Sequence, residues 1–427
     1  MAKKLQADEW LFAAAVGLAL FGVVMVYSAS APVAAEQNGT QYHYVLRQGI
    51  WTTLGFGAML VGMRMDYTLL RQRWLATALL VLTVVLLLSV FAFPRINGAH
   101  RWLRFGGLMS FQPSELAKLV LTVCLARFLE RRAGEEQLFW RTFLPAVALT
   151  GLLVVLVAAE PDLGTAMMLG VVGATMLFTA GARVRHIALM LAPALVGVAG
   201  MIALFPWRVK RFLAFLDPWA DAQGAGFQVV QSLMAVGSGG VNGAGFAQGK
   251  QKLFFLPFAH SDFIFAVVGE ELGLIGALLL VGAFALFLWR GVRAARRAPD
   301  RFGMLLGLGL VTGIVAQALF NLSVVLALVP TKGIPLPFVS YGGTSTVFTL
   351  FAVGVLLNIS QQGGALGDRA AWGLEEAESS RQQAAGSGQK ATGRLHKQPW
   401  TAYGLLLASS AAAAGFWLLT PDSCLLF

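Results

Sequence analysis

The sequence predicts an all-α polytopic integral membrane protein, and three observations carry that prediction. Hydrophobic residues make up 57% of the 427 positions and charged residues only 12%, where an ordinary soluble chain has about 25% charged. Apolar runs of about 20 residues, sufficient to cross a hydrocarbon core of about 30 Å, recur along most of the chain. Lysine and arginine gather in short clusters between those runs, as topology-setting charges do.

Ten runs qualify as spans, at residues 10–29, 45–63, 74–93, 112–130, 144–160, 163–181, 187–206, 263–289, 303–328 and 342–360. The first follows Lys3 and Lys4 as the start of a signal peptide would, but it is long enough to span and more spans follow, so it reads as a retained helix. Residues 144–181 are too long for one crossing at about 1.5 Å per residue. Pro161, which removes a helix donor, and Asp162, which can cap a new start, divide them into the fifth and sixth spans.

With the N-terminus cytoplasmic, Lys3, Lys4, Arg64, Arg71, Arg73, Arg131, Arg132, Arg141, Arg183, Arg185, Arg290, Arg293, Arg296, Arg297 and Arg301 all fall on the cytoplasmic side. Residues 207–262, the longest loop between spans, then lie outside. Arg47, Arg95, Arg101, Arg104, Arg208, Lys210, Arg211, Lys250, Lys252 and Lys332 fall on or near that outer side, against the bias. They serve either lipid phosphates at the interface or an anionic substrate approached from the outer leaflet.

The net charge of +11 and pI near 10.0 come from inter-span clusters, with no aromatic-basic module, so nucleic acid is not an expected partner. Two cysteines, Cys124 and Cys424, supply neither a disulfide framework nor a metal site. Residues 1–362 form the membrane core, 363–398 read as a flexible cytoplasmic tail, and 399–427 hold a weak candidate for an additional transmembrane segment, or an extension foreign to the core.

Ionisable groups inside spans are costly, so each is a functional candidate. Glu115 and Lys118 in "FQPSELAKLVL" lie three apart on one helix face and can pair; a structural ion pair and a catalytic role are both open. Asp162, with Glu160 beside it, and Asp262 stand at helix mouths, where capping competes with function. Glu270 lies eight residues beyond Asp262, roughly 12 Å deeper along a helix, and Glu271 faces nearly the opposite way, so a packing or polar-network role is expected for both. The loop "GSGGVNGAGFAQGKQKLFF" fails a Walker pattern at Ala244 and Gln251; its glycines serve tight turns or close approach. "PTKGIPLPFVSYGGTS" is irregular backbone near membrane depth, which is tolerated when buried or lining a cavity.

"GLMSFQPSELAKL", "EPDLGTA", "GFQVVQSLMAVGSGG", "KLFFLPFAHSDFIFAVVGEELG" and "LPTKGIPLPFVSYGGTS" resemble, in order and spacing, the signatures of the SEDS family, FtsW and RodA, over residues 10–362. "PTKG" and "VMVYSAS" look more like the FtsW division branch. The resemblance implies a ten-helix SEDS bundle with a large extracellular loop between helices 7 and 8, in the cytoplasmic (inner) membrane. It implies a peptidoglycan glycosyltransferase that polymerises lipid II on the outer face, with a class B penicillin-binding protein transpeptidase and other divisome or elongasome proteins as partners. Asp262 matches the family's catalytic aspartate, and Glu115 and Lys118 its polar pair. Arg47, Trp102, Asp162, Gln231, Ser232, Ser340 and Gly343 fall on motif positions, with His260 beside Asp262.

The reaction needs a base for a sugar hydroxyl, assigned to Asp262, with metal ligation as the variant reading. It also needs cations for a departing pyrophosphate, drawn from Arg47, Lys118, Arg208, Lys210 and Arg211. A divalent cation (Mg or Mn) can share that load, although no multi-carboxylate cage is evident. A lipid II flippase and a non-catalytic division scaffold are the competing readings.

Overall fold

A computed structural model of the chain describes residues 7–94, 100–105, 109–204, 206–253 and 255–363. Helix ends follow local chemistry. Asp8 caps α1 (Glu9–Asn38) by accepting the Leu11 amide at 3.0 Å, and Gly39 closes it in the left-handed region. α2 (His43–Arg64) and α3 (Arg73–Ser89) follow, then a hairpin of β1 (Leu103–Phe105) and β2 (Met109–Phe111) that pairs Leu103 with Phe111. α4 (Pro113–Arg131) opens on proline, tolerated in a first turn whose amides have no helical acceptor. α5 (Leu144–Ala159) and α6 (Leu163–Ala180) are separate helices, and Asp162 caps the second through the Thr165 amide at 3.2 Å. α7 (Val184–Ala203) comes next, and the predicted 207–262 loop then contains two further helices, α8 (Pro206–Leu216) and α9 (Phe227–Ser238). α10 (Ile264–Arg296) extends beyond the predicted end at 289, α11 (Arg301–Val325) is capped by Asp300, and α12 (Gly343–Gly363) ends the described core.

Among the described residues, seven helical segments are long and apolar enough to cross a membrane: Glu9–Asn38, Arg73–Ala92, Phe139–Ala159, Leu163–Ala180, Ile264–Arg296, Arg301–Val325 and Gly343–Gly363. α2, α4 and α7 coincide with the remaining predicted runs. The chain is a multi-pass membrane protein. Large apolar side chains such as Leu82, Val85, Leu274, Ile275, Leu278 and Leu279 are exposed along α3 and α10, while Ser28, Gln48, Glu115, Glu271, Gln317 and Asn321 are buried. Apolar side chains thus cover the outside as well as the core, and the polar groups are kept within the bundle, as a bundle solvated by lipid requires. α10 packs against α1, α9 and α11, and α11 against α4 and α6, so α11 is central.

The glycine-rich segment 239–252 folds back onto α10. The Ala244 and Gly245 amides donate to the Glu270 and Glu271 carbonyls at 2.9 and 3.0 Å. Those carbonyls are available because α10 breaks at Gly273, whose φ of 65° and ψ of −163° are non-helical. The Glu270 carboxylate accepts the Lys250 and Gln251 amides at 2.6 and 3.1 Å. Glu271 accepts the Ala247 amide at 3.0 Å and the Ser28 hydroxyl at 2.7 Å, and pairs with the buried Lys252 ammonium at 2.6 Å. The two glutamates therefore form a polar network that ties this segment to α1 and α10. Of the sequence beyond the core, the stretches read as a tail (363–398) and as an extra segment (399–427) lie outside the described residues, Gly363 excepted.

Candidate active site

A cavity of about 390 Å³ opens where the irregular segments before α10 and α12 meet the first turns of α4 and α6. Its wall carries Arg47 and Trp51 of α2, Trp102, Glu115 and Lys118 of α4, His260 and Asp262, Gly333, and Tyr341 to Gly343. The two irregular segments are stitched together by few but buried bonds. Ser340 Oγ donates to the Ser261 carbonyl at 2.5 Å and accepts the Leu336 amide at 2.8 Å, while the Tyr341 amide donates to the His260 carbonyl at 2.9 Å. Asn321 of α11 donates to both segments at once, to the Asp262 carbonyl at 2.8 Å and the Ile334 carbonyl at 2.7 Å.

Asp262 does not cap α10: the cap position is Phe263, and no side chain bonds the first-turn amides there. Its carboxyl faces the cavity, and surrounding protein pushes its pKa up to about 6, with Arg101 pulling down and Asp162 pushing up. Gly333 leaves room for it; a Cβ there would lie 2.9 Å from Asp262 Oδ2. His260 packs between Tyr44, tilted at 4.6 Å, and Tyr341, edge-on at 5.7 Å between ring centroids, and burial drives its pKa down to about 4. At neutral pH it is an uncharged wall. Burial raises the Tyr341 pKa, opposed by its hydrogen bond to Arg47.

Glu115 and Lys118 are paired at 2.9 Å. Ser345 donates to Glu115 at 3.0 Å, Lys118 donates to Gln317 Oε1 at 2.5 Å, and Gln317 passes a donor to the Pro335 carbonyl at 2.8 Å. The polar floor of the cavity is thus hydrogen-bonded through α11 to the segment that shelters Asp262. Gln317 and Asn321 are absent from the sequence-level candidates; two amides four residues apart in an apolar span are the signal that exposes them.

The remaining candidates separate by position. Gly343 and Trp102 line the cavity, and Ser340 fastens its wall. Asp162 is the α6 cap and accepts from Thr165 Oγ1 at 2.9 Å and Gln112 at 3.2 Å, so capping accounts for its place beside the cavity. Glu160 is fully buried with both carboxylate oxygens unbonded, and burial raises its pKa to about 8. The structure does not bring Gln231, Ser232 or Lys210 to the cavity: Ser232 of α9 donates to the Val325 carbonyl at 2.8 Å, Gln231 neighbours it on α9, and Lys210 is exposed on α8. The side chains of Arg95, Arg104 and Arg208 lie outside the described set.

A lipid-facing helical bundle that buries a carboxylate, cations and aromatic rings around one polar cavity defines a multi-pass membrane protein built to hold a polar substrate at the end of its bundle. The chain belongs to the FtsW, RodA and SpoVE family: the profile described as "Cell cycle protein" matches residues 9–364. It is 45% identical over 351 residues, 81% of this chain and 92% of the relative, to the probable peptidoglycan glycosyltransferase FtsW of Geobacter metallireducens. It is 39% identical over 363 residues to stage V sporulation protein E of Bacillus subtilis, covering 84% of this chain and 98% of that one. Among solved structures it resembles a chain of a peptidoglycan synthase complex that coordinates polymerization and crosslinking, with a TM-score of 0.69 and 30% identity over 84% of this chain and 99% of that one. The rod shape determining protein RodA of Thermus thermophilus aligns with a TM-score of 0.60 and 27% identity over 84% of this chain and 98% of that one.

Proposed function

We propose that the chain is a peptidoglycan glycosyltransferase that polymerises lipid II in septal wall synthesis, with Asp262 as general base. Its relatives named for that activity support the reaction class, and the FtsW names support the division role. The observation that carries the residue assignment is the Asp262 carboxyl, held at the cavity wall with its pKa raised to about 6 and free of any capping duty. A base with that pKa is ionised at neutral pH yet more basic than an ordinary carboxylate.

In this reading the acceptor sugar hydroxyl lies against Asp262, gives it a proton, and attacks the donor's anomeric carbon as the lipid pyrophosphate departs. Arg47 and Lys118 line the same cavity and supply positive charge toward the leaving group. Lys118 is shared with Glu115 and Gln317, and Arg47 hydrogen-bonds Tyr341, so both cations are held in place at the cavity wall. The aromatic faces of Trp51, Trp102 and Tyr341 pack sugar rings. No three His, Cys, Asp or Glu residues cluster among the described residues, so a bound Mg or Mn ion would take one ligand from Asp262 and the rest from pyrophosphate and water. The inner-membrane orientation, with the N-terminus cytoplasmic and the cavity outward, rests on the arginine bias of the sequence. A crosslinking enzyme of the penicillin-binding class is the partner this reading expects, as polymerization and crosslinking are joined in the related synthase complex.

The test is polymerisation in detergent. Purified protein with lipid II and its transpeptidase partner is expected to elongate glycan with no bilayer to cross, at a rate that rises with pH through an apparent pKa near 6, as Asp262 ionises. No polymer in detergent, alongside lipid II translocation in vesicles, would establish the flippase reading instead.

Gly333→Ala gives a finer test, because its Cβ would press within 2.9 Å of Asp262 Oδ2. Displacing a catalytic group by about 1 Å can cost on the order of 100-fold in rate. The expected result is a loss of that order with the melting temperature nearly unchanged, measured by gel separation of glycan products and by thermal unfolding.

A further inference from the structure

At the end of α10 far from Asp262, Leu288, Trp289, Val292, Arg293, Arg296 and Arg297 line a groove of about 660 Å³. They recur at the three- and four-residue spacing that puts them on one helix face. Roughly 36 to 50 Å of helix, at about 1.5 Å per residue, separates them from the Asp262 end. The groove has no part in the reaction described above.

Charge balance sets this face apart from its surroundings. Neighbouring arginines are matched to carboxylates: Arg290 to Asp8 at 2.8 Å, Arg71 to Glu130 at 3.0 Å, Arg132 to Glu135 at 2.8 Å, and Arg301 to Glu136. Among the described residues, Arg293, Arg296 and Arg297 form no ion pair with a carboxylate. Three guanidiniums are therefore gathered on one face with no carboxylate partner among the described residues, directly beyond the exposed indole of Trp289, which is 60% accessible. Trp289 and Leu288 offer an apolar floor one turn toward the bundle centre. An indole at the edge of an apolar span followed by arginines is the order in which a phospholipid presents acyl chain, glycerol and phosphate.

We infer that this groove is a binding site for the phosphate headgroup of an anionic phospholipid, with the three guanidiniums on the phosphate and Trp289 and Leu288 against the upper acyl chains. Arginine forks suit phosphate oxygens in a way that a single ammonium does not. The site is a fixed charge arrangement on a rigid helix, so it selects headgroup charge without rearrangement of the bundle.

The experiment reads lipid retention by native mass spectrometry. The full chain is released from nanodiscs of mixed phosphatidylglycerol and phosphatidylcholine. Wild type is expected to retain phosphatidylglycerol in preference, and the preference is expected to fall about five-fold for each arginine removed. Arg293→Gln, Arg296→Gln and Arg297→Gln together should abolish it, whereas the same three positions as lysine should keep most of it. Arg141→Gln, which removes an exposed charge elsewhere on the protein, should leave it unchanged. The proposal is overturned if the glutamine triple variant keeps the preference or if millimolar inorganic phosphate competes it away. It is also overturned by a wild type with no preference.

Discussion

Asp262→Asn is expected to abolish glycan polymerisation while leaving the protein folded and at least as stable as wild type. Asparagine matches the carboxylate in shape, so the cavity and its packing against Gly333 persist, but an amide cannot take a proton from the acceptor hydroxyl. A positioned general base contributes about 100-fold to 10,000-fold, and a loss in that range is expected with lipid II as substrate. The stability expectation follows from the direction of the pKa. Folding raises it from the ordinary 3.8 to about 6, so the stability linked to this group is present below pH 4 and lost as pH rises through 6. At pH 7.5 the wild-type carboxylate is thus a burden on the fold, and asparagine relieves it. Thermal unfolding at pH 5 and 7.5 checks this: the variant should gain on wild type at the higher pH. Residual polymerisation above about a tenth of wild type would remove Asp262 from the base role, because that exceeds what an absent base permits.

Glu271→Gln is expected to have the largest effect on stability. Glu271 and Lys252 are enclosed, at 0% and 4% side-chain exposure, and their 2.6 Å pair is completed by Ser28 and the Ala247 amide. Removing the negative charge strands a buried ammonium, which costs about 3–5 kcal/mol. Segment 239–252 is held by this pair and by Glu270, so its release should be local before it is global. Trypsin cleavage after Lys250 or Lys252, followed over time in detergent, should speed up markedly in the variant. Adding Lys252→Met to Glu271→Gln should recover much of the lost stability, because the unpaired charge is then gone. A single variant with wild-type cleavage and melting temperature would mean that the pair contributes nothing to holding the loop.

Both predictions concern residues in one stretch, "HSDFIFAVVGEELG", and the two parts of that stretch were legible to different degrees. Asp262 stood out through motif resemblance alone, since position before a helix equally fitted a cap. The role of Glu271 depended on Lys252, nineteen residues earlier, and Ser28, in another helix. No spacing rule connects those three. Asp162 shows the converse: a cap was legible from the residue type and the following helix, and a cap is what forms. Gln231 and Ser232 carried family motif positions yet lie on α9 outside the cavity lining, with Ser232 bonded to the Val325 carbonyl of α11.

Hydropathy, charge bias and helix punctuation are local or periodic signals, and they determined the membrane class, the helical architecture, the break at Pro161 and the Glu115–Lys118 pair. They depend on neighbours within one or two helical turns, which the chain order already specifies. Tertiary structure alone decided that helices α8 and α9 occupy the long loop, that Gln317 and Asn321 brace the cavity, and that Asp262 faces it. These depend on which faces of distant helices meet. In a bundle whose outer and inner surfaces are both apolar, that choice is made by packing and buried hydrogen bonds, for which periodicity carries no signal.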